Sequence, residues 1–195
     1  MIVLPPFQKS VVIGVLLSDG HLASTKPHEN PRLEFKQSLQ SSAYVLFVFS
    51  FLSSYCNVYP YLVKNVRKDK VHFALFFYTR GLPCFKELRS IFYINRVKIV
   101  PEDIYNLLTP VALAHFIMGD GVAKQHGLIL CTDSYNIVDI VRLINVLIIR
   151  YNLDCTIRSH TSNQSRIYIR ERSMPILREL VKNHMVKSML YKVGL

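Results

Sequence analysis

The sequence has few cysteines, and they are scattered along the chain. None of the four is close enough to another to give the paired spacing of a structural zinc site, and the histidines form no metal-spaced pair either. These absences give no support to a zinc finger or an H-N-H nuclease. A chain of 195 residues also has no need of disulfides for stability. We therefore expect these cysteines to be reduced core residues: Cys56, Cys84, Cys131 and Cys155.

A long uninterrupted apolar run is missing as well. The nearest candidate, AYVLFVFSFLSSYCNVYPYLV at 43–63, is broken by Ser, Asn and Pro, which favours a buried helix entering a strand over a membrane span. The opening MIVLPPFQKS has neither the Arg- and Ser-rich character of a transit peptide nor the unbroken apolar core of a signal peptide. We expect no membrane association, and action in the compartment of translation.

Acidic residues are scarce relative to basic ones. Thirteen Asp and Glu oppose 24 Lys and Arg, which gives a formal net charge of +11. Half of the residues are hydrophobic, so the chain is not disordered and can form a substantial core. The charge predicts a polyanionic partner, with nucleic acid favoured over an anionic membrane surface.

Two apolar segments end in the same unusual way. Residues 11–20 read VVIGVLLSDG and residues 112–121 read ALAHFIMGDG. The C-terminal end of a helix carries partial negative charge, so a carboxylate there is unfavourable by about 0.3–1 kcal/mol. The glycine that follows is typical of a left-handed helix cap. Two such ends predict functional carboxylates, and the alternative is two ordinary core helices with incidental Asp-Gly ends.

The two motifs begin two copies of one pattern. Each is followed by strand, helix, hairpin and closing-helix patterns, so the sequence predicts an α+β fold of two pseudo-symmetric α-β-β-α-β-β-α repeats. We place these repeats at residues 1–105 and 106–195. They join near YNLLTP, where Thr109 is expected to cap and Pro110 to open the second motif helix.

Residue spacing within the repeats makes further predictions. Gly14 and Ser18, four residues apart, are expected to let the backbone of another helix come close. The two hairpins are expected to turn at 67–70 and 161–164. The helix after the second motif is expected to be amphipathic, with these residues on one side: Ile137, Ile140, Val141, Ile144 and Ile148.

The segments VIGVLLSDG (12–20) and LAHFIMGDG (113–121) resemble the paired signature motifs of the LAGLIDADG homing endonucleases, in the single-chain branch with two motifs. The resemblance covers nearly the whole chain, since the linker VKIVPEDIYNLLTP and the tail SMLYKVG also look like that branch. It implies a saddle of antiparallel sheets with two central motif helices. It also implies an intron-encoded enzyme that cuts both strands of a long, pseudo-palindromic DNA site with a metal ion, leaving short 3′ overhangs.

The resemblance assigns the motif ends to a metal site. Asp19 and Asp120 match the acidic residues that coordinate the catalytic divalent ions in the family. The backbone carbonyls of Ser18 and Gly119 would be auxiliary ligands. The adjacent glycines are Gly20 and Gly121.

The resemblance also implies a catalytic lysine from each half, beside the scissile phosphate. The matching positions are Lys98 in VKIVP and Lys192 in LYKVG, and Lys187 in VKSML competes with the latter. Two departures from the family pattern stand out. His115 replaces a small residue of the second motif, which puts close helix contact there in doubt, and Ser18 before Asp19 leaves one carboxylate per motif.

The chemistry of phosphodiester hydrolysis favours Mg²⁺ as the cofactor. The reaction needs an activated water, in-line geometry and a stabilised leaving oxygen, which hard oxygen ligands around Mg²⁺ supply. Mn²⁺ is expected to substitute, and Ca²⁺ to bind without supporting cleavage. Two carboxylates 4 Å apart repel by about 4 kcal/mol at an effective dielectric constant near 20. We therefore expect raised carboxylate pKa values and lower stability without the metal.

DNA recognition is expected from the strands, because half-buried sheets leave one face free. In the family these faces lie in the major groove. Alternation assigns the following residues outward: Arg32, Glu34, Lys36 and Ser38 in the first half, and Arg158, His160, Arg166, Tyr168 and Arg170 in the second. Gln37, also counted as a DNA contact, and Thr132 occupy matching positions and are expected near the active site. No reader is assigned in PYLVKNVRK, because its register is ambiguous.

Three functions remain open on the sequence alone. An active endonuclease on double-stranded DNA is favoured because both aspartates are present. The first alternative is a splicing factor, or maturase, that binds intron RNA through the same fold, and the second is a catalytically inactive DNA-binding module. The internal repeat already supplies a two-fold arrangement, so we expect a monomer. Organellar expression, in the mitochondrion rather than the chloroplast, is the family-level expectation.

Overall fold

The computed structural model describes residues 3–24, 28–67 and 70–195, except for the side chain of Arg67. The first half contains, in order, α1 (Pro6–Leu17), β1 (His21–Ala23), β2 (Arg32–Ser38), α2 (Ser42–Leu52), β3 (Tyr61–Arg67), β4 (Lys70–Tyr78) and α3 (Pro83–Phe92). This is the predicted α-β-β-α-β-β-α order. The turn predicted at 67–70 includes residues 68 and 69, which lie outside the described residues.

The second half repeats the order after a short connection. The connection contains an unpredicted hairpin of β5 (Tyr93–Ile94) and β6 (Val97–Lys98), then the one-turn helix α4 (Ile104–Leu107). The repeat follows as α5 (Pro110–Asp120), β7 (Gly121–Lys124), β8 (Gly127–Leu130), α6 (Ile137–Tyr151), β9 (Cys155–Thr161), β10 (Gln164–Arg170) and α7 (Met174–Val181). Short 3₁₀ turns cover Leu39–Ser41, Ser53–Tyr55, Glu171–Ser173, Lys182–His184 and Lys187–Val193. Thr109 caps α5 as predicted, because its side chain accepts a hydrogen bond from the backbone N–H of Ala112.

Each half forms its own four-stranded antiparallel sheet. The strand orders are β1-β2-β4-β3 and β7-β8-β10-β9, so the two sheets have the same topology. The face of each sheet that packs on the helices is apolar, with Phe35 and Phe77 buried in the first half and Leu130 and Ile167 in the second. The opposite faces carry the polar alternation, and the predicted α+β fold of two repeats is confirmed.

The two motif helices, α1 and α5, pack against each other at the centre of the molecule. A Cβ atom added to Gly14 would lie 2.3 Å from the carbonyl oxygen of Ala112 and 2.6 Å from Cβ of His115. The helices therefore meet closely, as the small residues predicted. His115 does not prevent this contact, because Gly14 makes room for it and its ring stacks on Phe47 with centroids 5.9 Å apart.

The prediction that Gly20 and Gly121 form left-handed helix caps is wrong. Gly121 is extended, with φ −75° and ψ 137°, and Gly20 does not have a positive φ either. An added Cβ at Gly20 would lie 2.7 Å from the carbonyl oxygen of Val15, and one at Gly121 would lie 2.5 Å from that of Ile117. In each half, the backbone thus turns tightly over the helix end into β1 or β7, and glycine is needed for this close approach.

The predicted apolar side of α6 is only partly correct. Ile140 and Ile144 are buried, but Ile137, Val141 and Ile148 are exposed. The helix turns its other apolar positions inward, among them Leu143, Val146 and Leu147.

Among the described residues, no helix combines the length and the apolar character needed to cross a membrane. All four cysteines are free, with Cys155 buried and the others half-buried.

Candidate metal centre and DNA-facing surface

The two motif carboxylates come together at one end of the helix pair. Asp120 is the last residue of α5, and Asp19 follows the end of α1 by two residues. A Cβ atom added to Gly119 would lie 3.6 Å from Oδ2 of Asp19, so the two helix ends are in close contact. Asp19 is exposed and Asp120 is half-buried. The pair therefore lies at the surface end of a buried helix seam.

The electrostatic environment of Asp120 is that of a crowded carboxylate. Burial, and then the negative charge of Asp19, raise the pKa of Asp120 to about 7. Lys98 and Lys192 oppose this shift without cancelling it. The raised carboxylate pKa expected from the sequence is thus present at Asp120. A cation bound beside this group would therefore favour its ionised form at neutral pH.

A lysine from each half reaches the end of its own motif. Nζ of Lys98 donates hydrogen bonds to the carbonyls of Ser18 (2.6 Å) and Gly20 (3.2 Å). Nζ of Lys192 donates to those of Met118 (2.6 Å) and Gly119 (3.0 Å). Burial lowers the pKa of both lysines, and the two aspartates oppose that shift.

The β5–β6 hairpin positions Lys98, and the C-terminal 3₁₀ turn positions Lys192. The competing Lys187 is exposed at the start of that turn. Of the two second-half candidates, the structure therefore brings Lys192 to the motif end.

The donor atoms at the motif ends fit a hard divalent cation. The available groups are two carboxylates and the carbonyls of Ser18 and Gly119, all of them oxygen ligands. Each carbonyl accepts a lysine hydrogen bond but keeps a second lone pair. The described part of the chain contains no group of three or more His, Cys, Asp or Glu that could hold a metal alone. A bound Mg²⁺ would take its remaining ligands from water and phosphate, as this ion usually does.

Gln37 of β2 and Thr132, two residues beyond β8, occupy equivalent positions in the two halves but have different surroundings. Nε2 of Gln37 donates a hydrogen bond to Oδ2 of Asp19 at 2.6 Å. Thr132 is fully buried, and its hydroxyl donates to the carbonyl of Ser165 at 2.6 Å. The structure therefore brings Gln37 to the carboxylates, whereas the side chain of Thr132 bonds within its own half.

A contact from Tyr135 to the first motif is not predictable from the sequence. Tyr135 precedes α6 in the second half, and its buried hydroxyl donates a hydrogen bond to the carbonyl of Leu17 at 3.1 Å. Burial, followed by the charge of Asp120, raises the pKa of the Tyr135 hydroxyl. A single tyrosine in a loop carries no motif, so only the folded structure reveals this link between the halves.

Comparison with known proteins identifies the family. The LAGLIDADG DNA endonuclease family matches residues 9–177. The chain belongs to this family. It is 32% identical over 197 residues to the cytochrome b mRNA maturase bI2 of Saccharomyces cerevisiae, covering 95% of this chain and 47% of that protein. It is 30% identical over 205 residues to the DNA endonuclease I-ChuI of Chlamydomonas applanata, covering 96% and 94%. The chain thus spans about half of the yeast maturase and nearly all of the algal endonuclease.

Solved LAGLIDADG structures share the fold. The homing endonuclease I-WcaI bound to its DNA recognition sequence superposes with a TM-score of 0.92 at 25% identity, over 99% of this chain and 88% of that one. I-DmoI in complex with DNA and Mn superposes with a TM-score of 0.56 at 13% identity, over 90% and 96%. The second likeness concerns the fold alone.

The free face of the first sheet lies beside the LAGLIDADG carboxylates. Arg32, Lys36 and Ser38 are exposed, as predicted, and Glu34 is half-buried because it forms an ion pair with Arg32 at 2.7 Å. An open cleft of about 490 Å³ reaches from Asp19 across this face. Its lining residues are Asp19, His21, Glu34, Lys36, Tyr61, Val63 and Phe76. Sequence reasoning missed the residues of β3 and β4, because the β3 register was ambiguous.

The free face of the second sheet requires one correction. Arg158, His160 and Arg170 are exposed, but Tyr168 is only 8% exposed. The Arg158 guanidinium lies 3.5 Å from the centroid of the Tyr168 ring and covers it, and the tyrosine hydroxyl donates to the carbonyl of His126. Tyr168 therefore supports Arg158 and is not available for an exposed contact.

Arg166 on the same face is held by Asp133. Two guanidinium nitrogens of Arg166 donate to the carboxylate oxygens of Asp133 at 2.8 and 2.5 Å. This hydrogen bonding lowers the pKa of Asp133. Arg166 therefore keeps a fixed orientation, with part of its donor capacity already used.

Proposed function

We propose that this chain is an intron-encoded, site-specific homing endonuclease. It hydrolyses one phosphodiester bond in each strand of a long pseudo-palindromic DNA site and leaves short 3′ overhangs. The observation that carries this proposal is the pair of carboxylates, Asp19 and Asp120, at adjoining helix ends, each accompanied by a lysine of its own repeat. A catalytically inactive DNA-binding module would not need this arrangement.

Asp19 and Asp120 hold the divalent cation, with the carbonyls of Ser18 and Gly119 as auxiliary ligands. When bound, the cation supplies a polarised phosphate and an activated water. Lys98 and Lys192 hold ammonium groups at the motif ends, where they stabilise negative charge on the reacting phosphates. Gln37 fixes the orientation of the Asp19 carboxylate.

The cation is Mg²⁺, with Mn²⁺ as a substitute and Ca²⁺ as an ion that binds without supporting cleavage. The oxygen-only donor set supports a hard cation. The presence of Mn with DNA in the I-DmoI structure supports a divalent metal in this fold.

DNA lies along the free sheet faces, which carry the assigned contacts other than Tyr168. Basic side chains there supply affinity for phosphates, and the strands reach the major groove. The exposed contacts on these faces are Arg32, Lys36, Ser38, Arg158, His160 and Arg170.

The chain acts as a monomer of two repeats, 1–105 and 106–195. This division is supported by the separate sheet in each half, since no strand pairing joins the two four-stranded sheets within the described residues. The similarity to a maturase of cytochrome b mRNA supports organellar expression, in the mitochondrion rather than the chloroplast.

A maturase activity on intron RNA is the second candidate function. The specific observation in its favour is 32% identity over 95% of the chain to a maturase. The same protein would then bind RNA as well as DNA, or RNA in place of DNA.

The decisive experiment incubates the protein with a randomised DNA duplex library in Mg²⁺ or Ca²⁺, with Asp120→Asn as the matched variant. Sequencing of the cut ends is expected to show one long site with staggered 3′ ends in Mg²⁺, and no cutting by the variant. Site-specific binding without cutting would favour the inactive module. No selection of DNA would favour the intron RNA.

A further inference from the structure

Hydrogen-bond register identifies which positions of the two sheets are equivalent. The second residue after the motif aspartate is His21 in the first half and Val122 in the second. His21 pairs with Glu34, and Val122 pairs with Ile129. Glu34 also pairs with Tyr78 of β4, and Ile129 with Tyr168 of β10. Tyr78 and Tyr168 are therefore equivalent, and both lie on the free faces.

Two residues before each tyrosine, the chemistry of the two halves diverges. Phe76 of β4 pairs with Tyr61 of β3, whereas Arg166 of β10 pairs with Arg158 of β9. The same cross-strand position is thus aromatic in the first half and doubly cationic in the second. A pseudo-symmetric protein therefore presents two different surfaces at matching register positions of its two sheets.

The aromatic position is an ordered apolar surface beside the metal centre. The rings of Tyr61 and Phe76 meet edge to face, with centroids 5.5 Å apart. Tyr78 extends the cluster, at 5.8 Å from Phe76. Tyr61, Phe76 and Val63 line the same cleft as Asp19. This part of the surface is suited to an apolar group on the nucleic acid.

The cationic position offers one preorganised arginine. Arg166 already donates two hydrogen bonds to Asp133. Arg158 lies over Tyr168, 3.5 Å from the ring centroid, and within the described residues it donates to no protein acceptor. A guanidinium held in this way retains its paired donors for a planar acceptor.

We propose that equivalent base pairs of the two half-sites differ in kind: thymine lies against Tyr61 and Phe76, and guanine lies against Arg158. In the major groove, thymine presents a C5-methyl group to apolar side chains, and guanine presents O6 and N7 to a bidentate arginine. The proposal rests on the proposed DNA-binding function and specifies its target. The two half-sites of the pseudo-palindrome therefore differ in sequence at these base pairs.

The test replaces single atoms of the selected DNA site. Each thymine is replaced in turn by deoxyuridine, which removes the C5-methyl group, and each guanine by 7-deazaguanine, which removes N7. Dissociation constants are measured by fluorescence anisotropy with Ca²⁺ in place of Mg²⁺. We expect about a fourfold loss of affinity for one first-half thymine, corresponding to one buried methyl group. We expect a loss of about fivefold or more for one second-half guanine.

Protein variants assign each effect to its side chain. Tyr61→Ala is expected to abolish the deoxyuridine effect and to leave the 7-deazaguanine effect unchanged, and Arg158→Gln to do the reverse. Tyr59→Ala is the matched control, because Tyr59 is 83% exposed and does not line the cleft. If Tyr61→Ala is shown by circular dichroism to be misfolded, Tyr61→Ser replaces it.

The outcomes separate this inference from the proposed function. A selected site that tolerates every deoxyuridine in its first half overturns the thymine assignment. A site in which Arg158→Gln leaves the 7-deazaguanine effect intact overturns the guanine assignment. Tighter binding to single-stranded RNA than to the selected duplex overturns both. Failure to select any DNA site refutes the proposed function itself.

Discussion

Gln37 donates a hydrogen bond from Nε2 to Oδ2 of Asp19 at 2.6 Å, and no described side chain does the same for Asp120. Thr132, at the equivalent position, is buried and bonds to a backbone carbonyl of its own sheet. The two motifs look alike in sequence, yet a side-chain hydrogen bond orients one carboxylate and, within the described residues, not the other. The surroundings of the two carboxylates are therefore unequal.

This inequality predicts unequal cutting when Gln37 is removed. A hydrogen bond to a charged group contributes about 1.5–3 kcal/mol, so Gln37→Ala is expected to slow cleavage of one strand by about tenfold and the other by less. Separately labelled strands on a denaturing gel give the two rates. The control is Gln40→Ala, since Gln40 is exposed in the neighbouring 3₁₀ turn. Equal slowing of both strands would contradict the prediction.

Asp120 predicts a pH-dependent stability of the metal-free protein. Its pKa is about 7 in the folded state, against an ordinary value of 3.8. Below about pH 4 the group is protonated in both states, and between about pH 4 and 7 the unfolded chain alone releases the proton. Stability is therefore expected to fall as pH rises through this interval and to level off above it. Thermal melts of wild type and Asp120→Asn check this, since the variant lacks that part of the slope.

Mg²⁺ is expected to restore the stability that is lost as the pH rises, because the cation binds the ionised carboxylate. The rise in Tm on adding Mg²⁺ should be larger at about pH 8 than at about pH 5.5, and small in Asp120→Asn. A rise in Tm that is equal in wild type and variant would argue against a metal at Asp120.

The two lysines are expected to affect chemistry more than binding. Removal of the ammonium from Lys98 or Lys192, as Lys98→Met or Lys192→Met, should reduce the cleavage rate by about 100-fold. Affinity for DNA in Ca²⁺ should change much less. Lys187→Met is the matched control, because Lys187 is exposed in the same turn as Lys192. Equal loss of activity in Lys187→Met and Lys192→Met would show that the contact of Lys192 with the second motif does not set its role.

Tyr135→Phe is expected to weaken the connection between the halves. Loss of the hydroxyl leaves the carbonyl of Leu17 buried without this partner, which destabilises the protein by about 1–3 kcal/mol. Denaturant unfolding measures the change, with Tyr105→Phe as a control on an exposed tyrosine. An unchanged free energy of unfolding would mean that water replaces the lost donor.

The sequence predicted the elements that depend on local pattern. Helical periodicity and the repeated Asp-Gly ends were sufficient for the two repeats, because each depends on residues near one another in the chain. The close approach of α1 to α5 joins distant residues, but it was predicted from small residues four apart within one helix, Gly14 and Ser18. The repeat also predicted Gln37 near the carboxylates, because Gln37 and Thr132 occupy matching positions in the two halves, but only Gln37 bonds to an aspartate.

Features that depend on long-range register could not be predicted in this way. The burial of Tyr168 follows from the position of Arg158 on a neighbouring strand, and the aromatic position follows from the pairing of Tyr61 with Phe76. The face of α6 was misassigned, because its Ile and Val residues surround most of the helix and only tertiary packing selects the buried ones. The β5–β6 hairpin was too short to leave a pattern.

That hairpin has a consequence for dividing the chain into two polypeptides. It lies in the connection between the repeats, yet its last residue, Lys98, bonds to the end of the first motif. A backbone break after α4 would leave each fragment with its own aspartate and its own lysine, so the two fragments could complement each other. A break before Lys98 would instead place this lysine on the fragment that carries the second motif. The connection up to Lys98 thus completes the end of the first motif, and beyond Lys98 it packs on the second half, where Tyr151 donates a hydrogen bond to the carbonyl of the buried Leu108.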